Sequence, residues 1–198
     1  MPDFLLYAQH GWADHNYKIS CLGQTLATPD ALVVAPNLGW WNTWWKIAPL
    51  IQTVETIAIA NFEQYPHTPI RIVGHSMGGL IWLEILNRYP QWWKNVHSLV
   101  LVGSPVGGSK LAKILDPLAI AIGADLAINR MAIAEKIAFH IKTLSIAGDI
   151  NGISDGTVTI ASTQFSHGKF KVLKGINHPR LKNHSLVARA ILDFWAEL

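Results

Sequence analysis

The sequence predicts an α/β protein with a mostly parallel central sheet of about six strands and helices on both faces. Three observations predict it. Short, almost continuously apolar runs alternate with longer segments of helical period; strands covered on both faces need such runs, and parallel strands need helical crossovers. Half of the residues are hydrophobic and 15% are charged, a balance that favours a packed core over disorder. At 198 residues, without internal repeat, linker or low-complexity stretch, the chain fits one domain over 1–198.

Residues 4–8, 31–35, 70–73, 98–102, 143–147 and 170–173 read as the strands. Leu50, Ile51, Val54, Ile57, Ala58 and Phe62 recur at three and four residues and form the stripe of one helix. Val187, Ala190, Ile191, Phe194, Trp195 and Leu198 form that of another at the end of the chain. The segment 110–141 departs from the simple alternation. Its Ala, Ile and Leu content predicts one or two helices broken near Gly123, a helical insertion or lid in which Asp116 and Asp125 are solvated. No large cap domain fits in a chain of this length.

A formal charge of +3, scattered histidines and no Lys/Arg stripe speak against nucleic acid as a partner. Cys21 stands alone, so neither an internal disulfide nor a cysteine-built zinc site is available. The amino terminus reads as an opening strand rather than a signal peptide. The apolar segment from Leu118 to Ile128 is shorter than the ~20 residues that span a bilayer. These features predict a soluble, cytoplasmic protein. Nine tryptophans are the compositional oddity. Trp40, Trp41, Trp44 and Trp45 form one cluster and Trp92 and Trp93 a second pair. Core filling is the first explanation for large aromatics, but adjacent pairs in a Pro/Gly/Asn-flanked loop are hard to bury completely, which leaves room for a pocket wall or an apolar surface.

The apolar run 70–73 leads into Gly74-His75-Ser76-Met77-Gly78, and a helical pattern starts at once. This is G-x-S-x-G in its meaningful setting of strand, sharp turn and helix. The turn lifts the Ser76 hydroxyl above the sheet, Gly74 and Gly78 leave room for it, and the following helix points N–H groups at developing negative charge.

Through this elbow and a series of short motifs along most of its length, the chain resembles the α/β-hydrolase superfamily, and within it the small lipases and esterases. His10-Gly11-Trp12 matches the pair that ends the first core strand of such enzymes. The resemblance implies that Trp12 and Met77 supply the two oxyanion N–H groups, each donor stabilising the tetrahedral oxygen by ~3 kcal/mol. The run 103–109, Gly103-Ser104-Pro105-Val106-Gly107-Gly108-Ser109, looks like the turn many lipases carry after the next strand, and Ser104 receives no catalytic role.

A serine hydroxyl needs a base, and the base a carboxylate. In this fold the chain order is serine, acid, histidine, which leaves His167, His178 and His184 as bases. His178 follows the last strand, and Asn177-His178 looks like the Gly-or-Asn-His pair of relatives; His184 reads as a helix-opening residue. Asp149 and Asp155 compete as the acid. Asp155-Gly156-Thr157-Val158 keeps the Asp-x-x-Val register of related hydrolases, whereas Asp149 reads as a turn brace.

The expected function is hydrolysis of a carboxylic ester through an acyl-serine, without metal or organic cofactor. A thioesterase or acyltransferase would use the same triad, and a non-catalytic binding protein would keep only the fold. The tryptophan loop leaves the carboxyl end of a strand, so Trp40, Trp41 and Trp44 are expected to wall the pocket for a small-molecule or lipid-like ester. Peripheral membrane contact is a further expectation, resting on the apolar residues between Leu111 and Ile141, whose intervening charges favour a purely structural role.

Overall fold

The computed structural model describes residues 1–108 and 121–198, so the beginning of the expected insertion, with Asp116, lies outside the described residues. Strand β1 (Leu5–Gln9) is followed by helix α1 (Tyr17–Leu26), β2 (Leu32–Val34), a 3-10 turn at Trp41–Trp44 and α2 (Ile47–Gln64). Next come β3 (Ile70–His75), α3 (Met77–Arg88), a 3-10 turn at Pro90–Asn95 and β4 (Val96–Val102). Then follow α4 (Ala121–Ala127), α5 (Met131–His140), β5 (Thr143–Asp149), α6 (Ile160–Thr163) and β6 (Lys169–Lys174). The short α7 (His178–Leu181) and α8 (Ser185–Ala196) complete the described elements.

The six strands lie in the order β2-β1-β3-β4-β5-β6, and every neighbouring pair is parallel. Alternate residues of each strand face opposite sides, which splits the core in two. Leu5, Tyr7, Ile70, Ile72, Leu99 and Leu101 pack with α2, α3 and α5. Leu6, Ala8, Val73, Val100 and Ile146 pack with α1 and α8. Both strand faces are therefore covered, and all six expected strands are present.

Helix α1 was not expected. Only Ile19, Leu22, Gly23 and Leu26 of it are buried, an apolar stripe too sparse to stand out among its polar residues. The tryptophans of the second 3-10 turn are structural. Trp92 stacks between Phe62 and Tyr89, at 4.1 and 4.2 Å between ring centres, and Trp93 Nε1 donates to the Leu86 carbonyl at 2.8 Å.

Gly123 lies inside α4, and an interruption falls at residues 128–130, a few residues beyond the break expected near Gly123. Two side chains make it. Asn129 Oδ1 accepts the Met131 N–H at 2.8 Å. Arg130, 2% exposed, turns inward to Glu84 on α3 at 2.7 Å and donates to the Asp125 and Ile128 carbonyls. Asp125 is not merely solvated either. Its carboxylate accepts the first amide of α2, Ile47 N–H, at 2.8 Å, where the helix dipole favours negative charge. These bonds fasten the described part of the insertion to α2 and α3. At its far end Glu135 accepts the amides of Ser166 and His167 and the His167 ring; partial burial alone would raise its pKa, but these three donors hold it at about 2.

Candidate active site

The chain enters the sheet at β1, one strand in from the edge, moves outward to β2 and returns across β1 to β3. That reversal opens a crevice at the carboxyl ends of β1 and β3, where ligands of open α/β sheets bind. Ser76 stands at the end of β3 with φ 55° and ψ −126°, a conformation that costs an L-residue about 1–3 kcal/mol. Its amide donates to the Val102 carbonyl at 2.9 Å and its carbonyl accepts from Gly79 at 3.1 Å, so the bend is held from both sides. The expected need for Gly74 and Gly78 is visible. A Cβ on Gly74 would lie 2.5 Å from Gly79 Cα, and one on Gly78 would collide with the Gln9 and His10 carbonyls.

The β1 loop closes against this bend. A Cβ on Gly11 would sit 2.9 Å from Ser76 Cβ and 3.1 Å from Met77 N, so only glycine lets the peptide leading to Trp12 approach the elbow. Met77 N–H is the first amide of α3 and has no carbonyl a turn earlier to bond. His10 fixes the loop. Its Nε2 accepts the Leu38 amide at 3.0 Å, so its Nδ1–H donates to the Gly11 carbonyl, also at 3.0 Å. Ala13, at φ 49°, is tied by its N–H to Thr43 Oγ1 at 3.0 Å.

Asp155 and His178 meet. His178 Nδ1 is 2.7 Å from Asp155 Oδ2, both side chains are almost fully buried, and His178 N–H donates to the Asp155 carbonyl at 2.9 Å. Asp155 Oδ1 accepts the amides of Thr157 and Val158 at 2.9 and 2.7 Å, which explains why the register after this aspartate carries information. Asp149 is a turn brace: its Oδ1 accepts from Asn151 and Gly152 at 3.0 and 2.5 Å. His184 opens α8, its Nδ1 accepting the Leu186 N–H at 3.2 Å. His167 precedes β6 and therefore lies at the opposite edge of the sheet from Ser76.

The link from serine to histidine runs through His75. Its ring centre lies 4.8 Å from that of His178, and its Nε2–H donates to the His178 carbonyl at 3.1 Å. Among the described residues no hydrogen bond closes between Ser76 Oγ and the imidazole; such bonds tighten when substrate is bound. Lys182, nearly buried, pairs with Asp14 on the β1 loop and joins the two loops that flank the elbow. Neither His75 nor this pair was foreseen. The histidine inside G-x-S-x-G was a visible signal, but partners 168 residues apart leave none.

Burial holds His75 well below the ordinary histidine pKa, helped by the charges of His178 and Lys182; burial also lowers His10. Below about pH 6.5 an unfolded chain protonates both rings while the folded one resists. Their contribution to stability is therefore complete above about pH 6.5 and drains as the medium is acidified, by up to about 1.4 kcal/mol per pH unit for each unmatched proton. Thermal melts from about pH 7.5 to 5.5 should show the decline, with a shallower slope in His75→Gln.

The tryptophan loop extends outward from the β1 loop as a chain of rings: Trp12 to Trp44 at 4.6 Å, Trp44 to Trp40 at 5.2 Å, Trp40 to Trp41 at 4.6 Å. Trp12, Trp40 and Trp44 are half-buried, whereas Trp41 stands 76% exposed at the surface. Among the described residues, no group of three or more His, Cys, Asp or Glu is placed to hold a metal ion.

The family described as serine aminopeptidase, S33, matches residues 42–146. A segment of 53 residues is 45% identical to the lysosomal phospholipase A and acyltransferase of Mus musculus, spanning 26% of this chain and 12% of that protein. The Bacillus licheniformis lipase BlEst2 in its mature form superposes with a TM-score of 0.72 at 13% identity, over 98% of this chain and 94% of the lipase. Phospholipase PlaB from Legionella pneumophila gives 0.71 at 13% identity, over 98% of this chain and 61% of its own. At such identity the structural matches establish the fold, that of the α/β-hydrolases.

Proposed function

The chain belongs to the serine aminopeptidase (S33) family of α/β-hydrolases, and from that premise we propose that it is a serine ester hydrolase acting through Ser76, His178 and Asp155. The observation that carries this reading is the buried His178–Asp155 pair at 2.7 Å, hung beside the strained Ser76 bend by His75. Because the carboxylate accepts, the proton of His178 sits on Nδ1 and the Nε2 lone pair remains for the serine. Ser76 Oγ attacks the ester carbonyl as His178 takes its proton. The N–H groups of Trp12 and Met77 receive the charge on the oxygen. The alcohol leaves with the proton from His178. A water then gives its proton to His178 and its oxygen to the acyl carbon, and the serine is restored as the acid departs.

Esters fit better than the amino-terminal peptides that the family description names. An aminopeptidase must hold a substrate ammonium with a carboxylate. Among the described residues, the acids at this edge are occupied: Asp14 by Lys182, Asp155 by His178 and loop amides, Asp149 by its own turn, and Asp125 by the first amide of α2. The half-buried indoles of Trp12, Trp40 and Trp44 form an apolar wall for an acyl or alkyl group. The alternatives that share the triad, thioester cleavage and acyl transfer, differ only in the group leaving or accepting the acyl chain.

A fluorophosphonate probe should label the protein at Ser76, and rates on p-nitrophenyl esters should rise with acyl length beyond acetate. An unlabelled Ser76 removes the serine mechanism, and a sharp optimum at acetate removes the apolar wall.

A further inference from the structure

We propose that the rim of this site docks on an anionic lipid bilayer through Trp41, Trp45 and the cations that flank them. The idea deepens the ester-hydrolase reading and rests on it for the purpose of docking, though not for the docking itself. Of the nine tryptophans, seven are buried or half-buried; Trp41 and Trp45 are 76% and 68% exposed. They are not on a slack loop. The 3-10 turn that carries Trp41 is pinned by buried Thr43, whose Oγ1 donates to the Trp40 carbonyl at 2.6 Å and accepts the Ala13 amide. Two large indoles held rigidly in water are stabilised where the ring meets hydrocarbon and the N–H meets headgroups.

Exposed apolar side chains recur across the mouth. Tyr17 follows β1, Trp41 and Trp45 follow β2, and Ile150 and Ile153 follow β5, so all five leave carboxyl ends of strands, the edge that bears Ser76. The charge on that edge has one sign left over. Lys18, Lys46, Lys174 and Arg180 are exposed there, and among the described residues no carboxylate pairs with them. Its four acids are occupied: Asp14, Asp149 and Asp155 as described above, and Asp125 by the first amide of α2. An edge with indoles at its rim and unpaired cations between them complements a negatively charged bilayer rather than a zwitterionic one. Trp45 and Lys46 also line an open groove of ≈ 430 Å³ with Leu38, Leu50, Asn42 and Thr53, which places apolar side chains and a cation side by side at the rim. No helix among the described residues is long and apolar enough to cross a membrane, which fits contact at the interface.

The test is co-sedimentation of the full chain with phosphatidylcholine vesicles, with and without phosphatidylglycerol. Ser76→Ala is run beside the parent so that hydrolysis does not alter the lipid. Binding is expected only with phosphatidylglycerol, and added NaCl should weaken it. Trp41→Ser with Trp45→Ser should lower affinity by at least about tenfold, and Lys18→Glu with Lys46→Glu should erase the preference for anionic lipid. Equal binding to both vesicles, or a tryptophan variant that binds like the parent, overturns the proposal. Fluorophosphonate labelling in solution keeps the two readings apart. Labelled protein that ignores anionic vesicles sinks the docking alone, and unlabelled protein that still binds them sinks the hydrolase alone.

Discussion

Ser76→Gly is expected to abolish ester hydrolysis and raise the melting temperature at the same time. The activity loss follows from removing the nucleophile and should reach at least about 10⁴-fold. The stability gain follows from the backbone. At φ 55° and ψ −126° a serine carries strain of about 1–3 kcal/mol that a glycine does not. The greater freedom of glycine in the unfolded chain returns roughly 0.5–1 kcal/mol of this. A net gain of about 1 kcal/mol corresponds to a rise of roughly 2–4 °C in a chain of this size. Ser76→Ala separates the two effects: it is equally inactive, but its Cβ keeps the strain and its melting temperature stays near the parent's. An ester assay and thermal melts of the three proteins check both halves. Hydrolysis by Ser76→Ala within about tenfold of the parent ends the assignment of the nucleophile.

How much of this site could be read in the sequence depended on how local its causes are. The strands were legible because burial on both faces leaves little but apolar residues, as in the fully buried run Leu5 to Ala8. The elbow was legible because close approach allows only glycine at 74 and 78, and these flank the serine directly. The pairing of Asp155 with His178 was legible because the register after this aspartate reflects two short-range bonds, to the amides of Thr157 and Val158. What could not be read was made by distant partners. Arg130 is drawn into the core by Glu84, 46 residues earlier, and this sets the helix interruption at residues 128–130. Which tryptophans face outward was equally hidden: one 3-10 turn, set by Thr43, buries half of Trp44 and exposes Trp41.

Asp155→Asn should lower kcat by about 10⁴-fold while leaving the fold intact. The asparagine Oδ1 can still accept the amides of Thr157 and Val158, so the loop keeps its shape. Its Nδ2, however, replaces an acceptor by a donor at 2.7 Å from His178 Nδ1. Two donors cannot share that contact, and the imidazole answers by moving its proton to Nε2. The nitrogen that should take the serine proton then already carries one. Asp149→Asn is the matched control. Asp149 acts through one oxygen that accepts two amides, a task an asparagine side chain performs equally well, so its kcat should stay within a few-fold of the parent. Asp155→Ala should add a loss of stability of about 1–3 kcal/mol, because it also frees the buried Val158 amide and the part-buried Thr157 amide. Steady-state kinetics on one p-nitrophenyl ester decide the matter. Full activity in Asp155→Asn with collapse in Asp149→Asn would transfer the role of acid to the other carboxylate, and the buried pair would then be a structural clamp under an unrelated base.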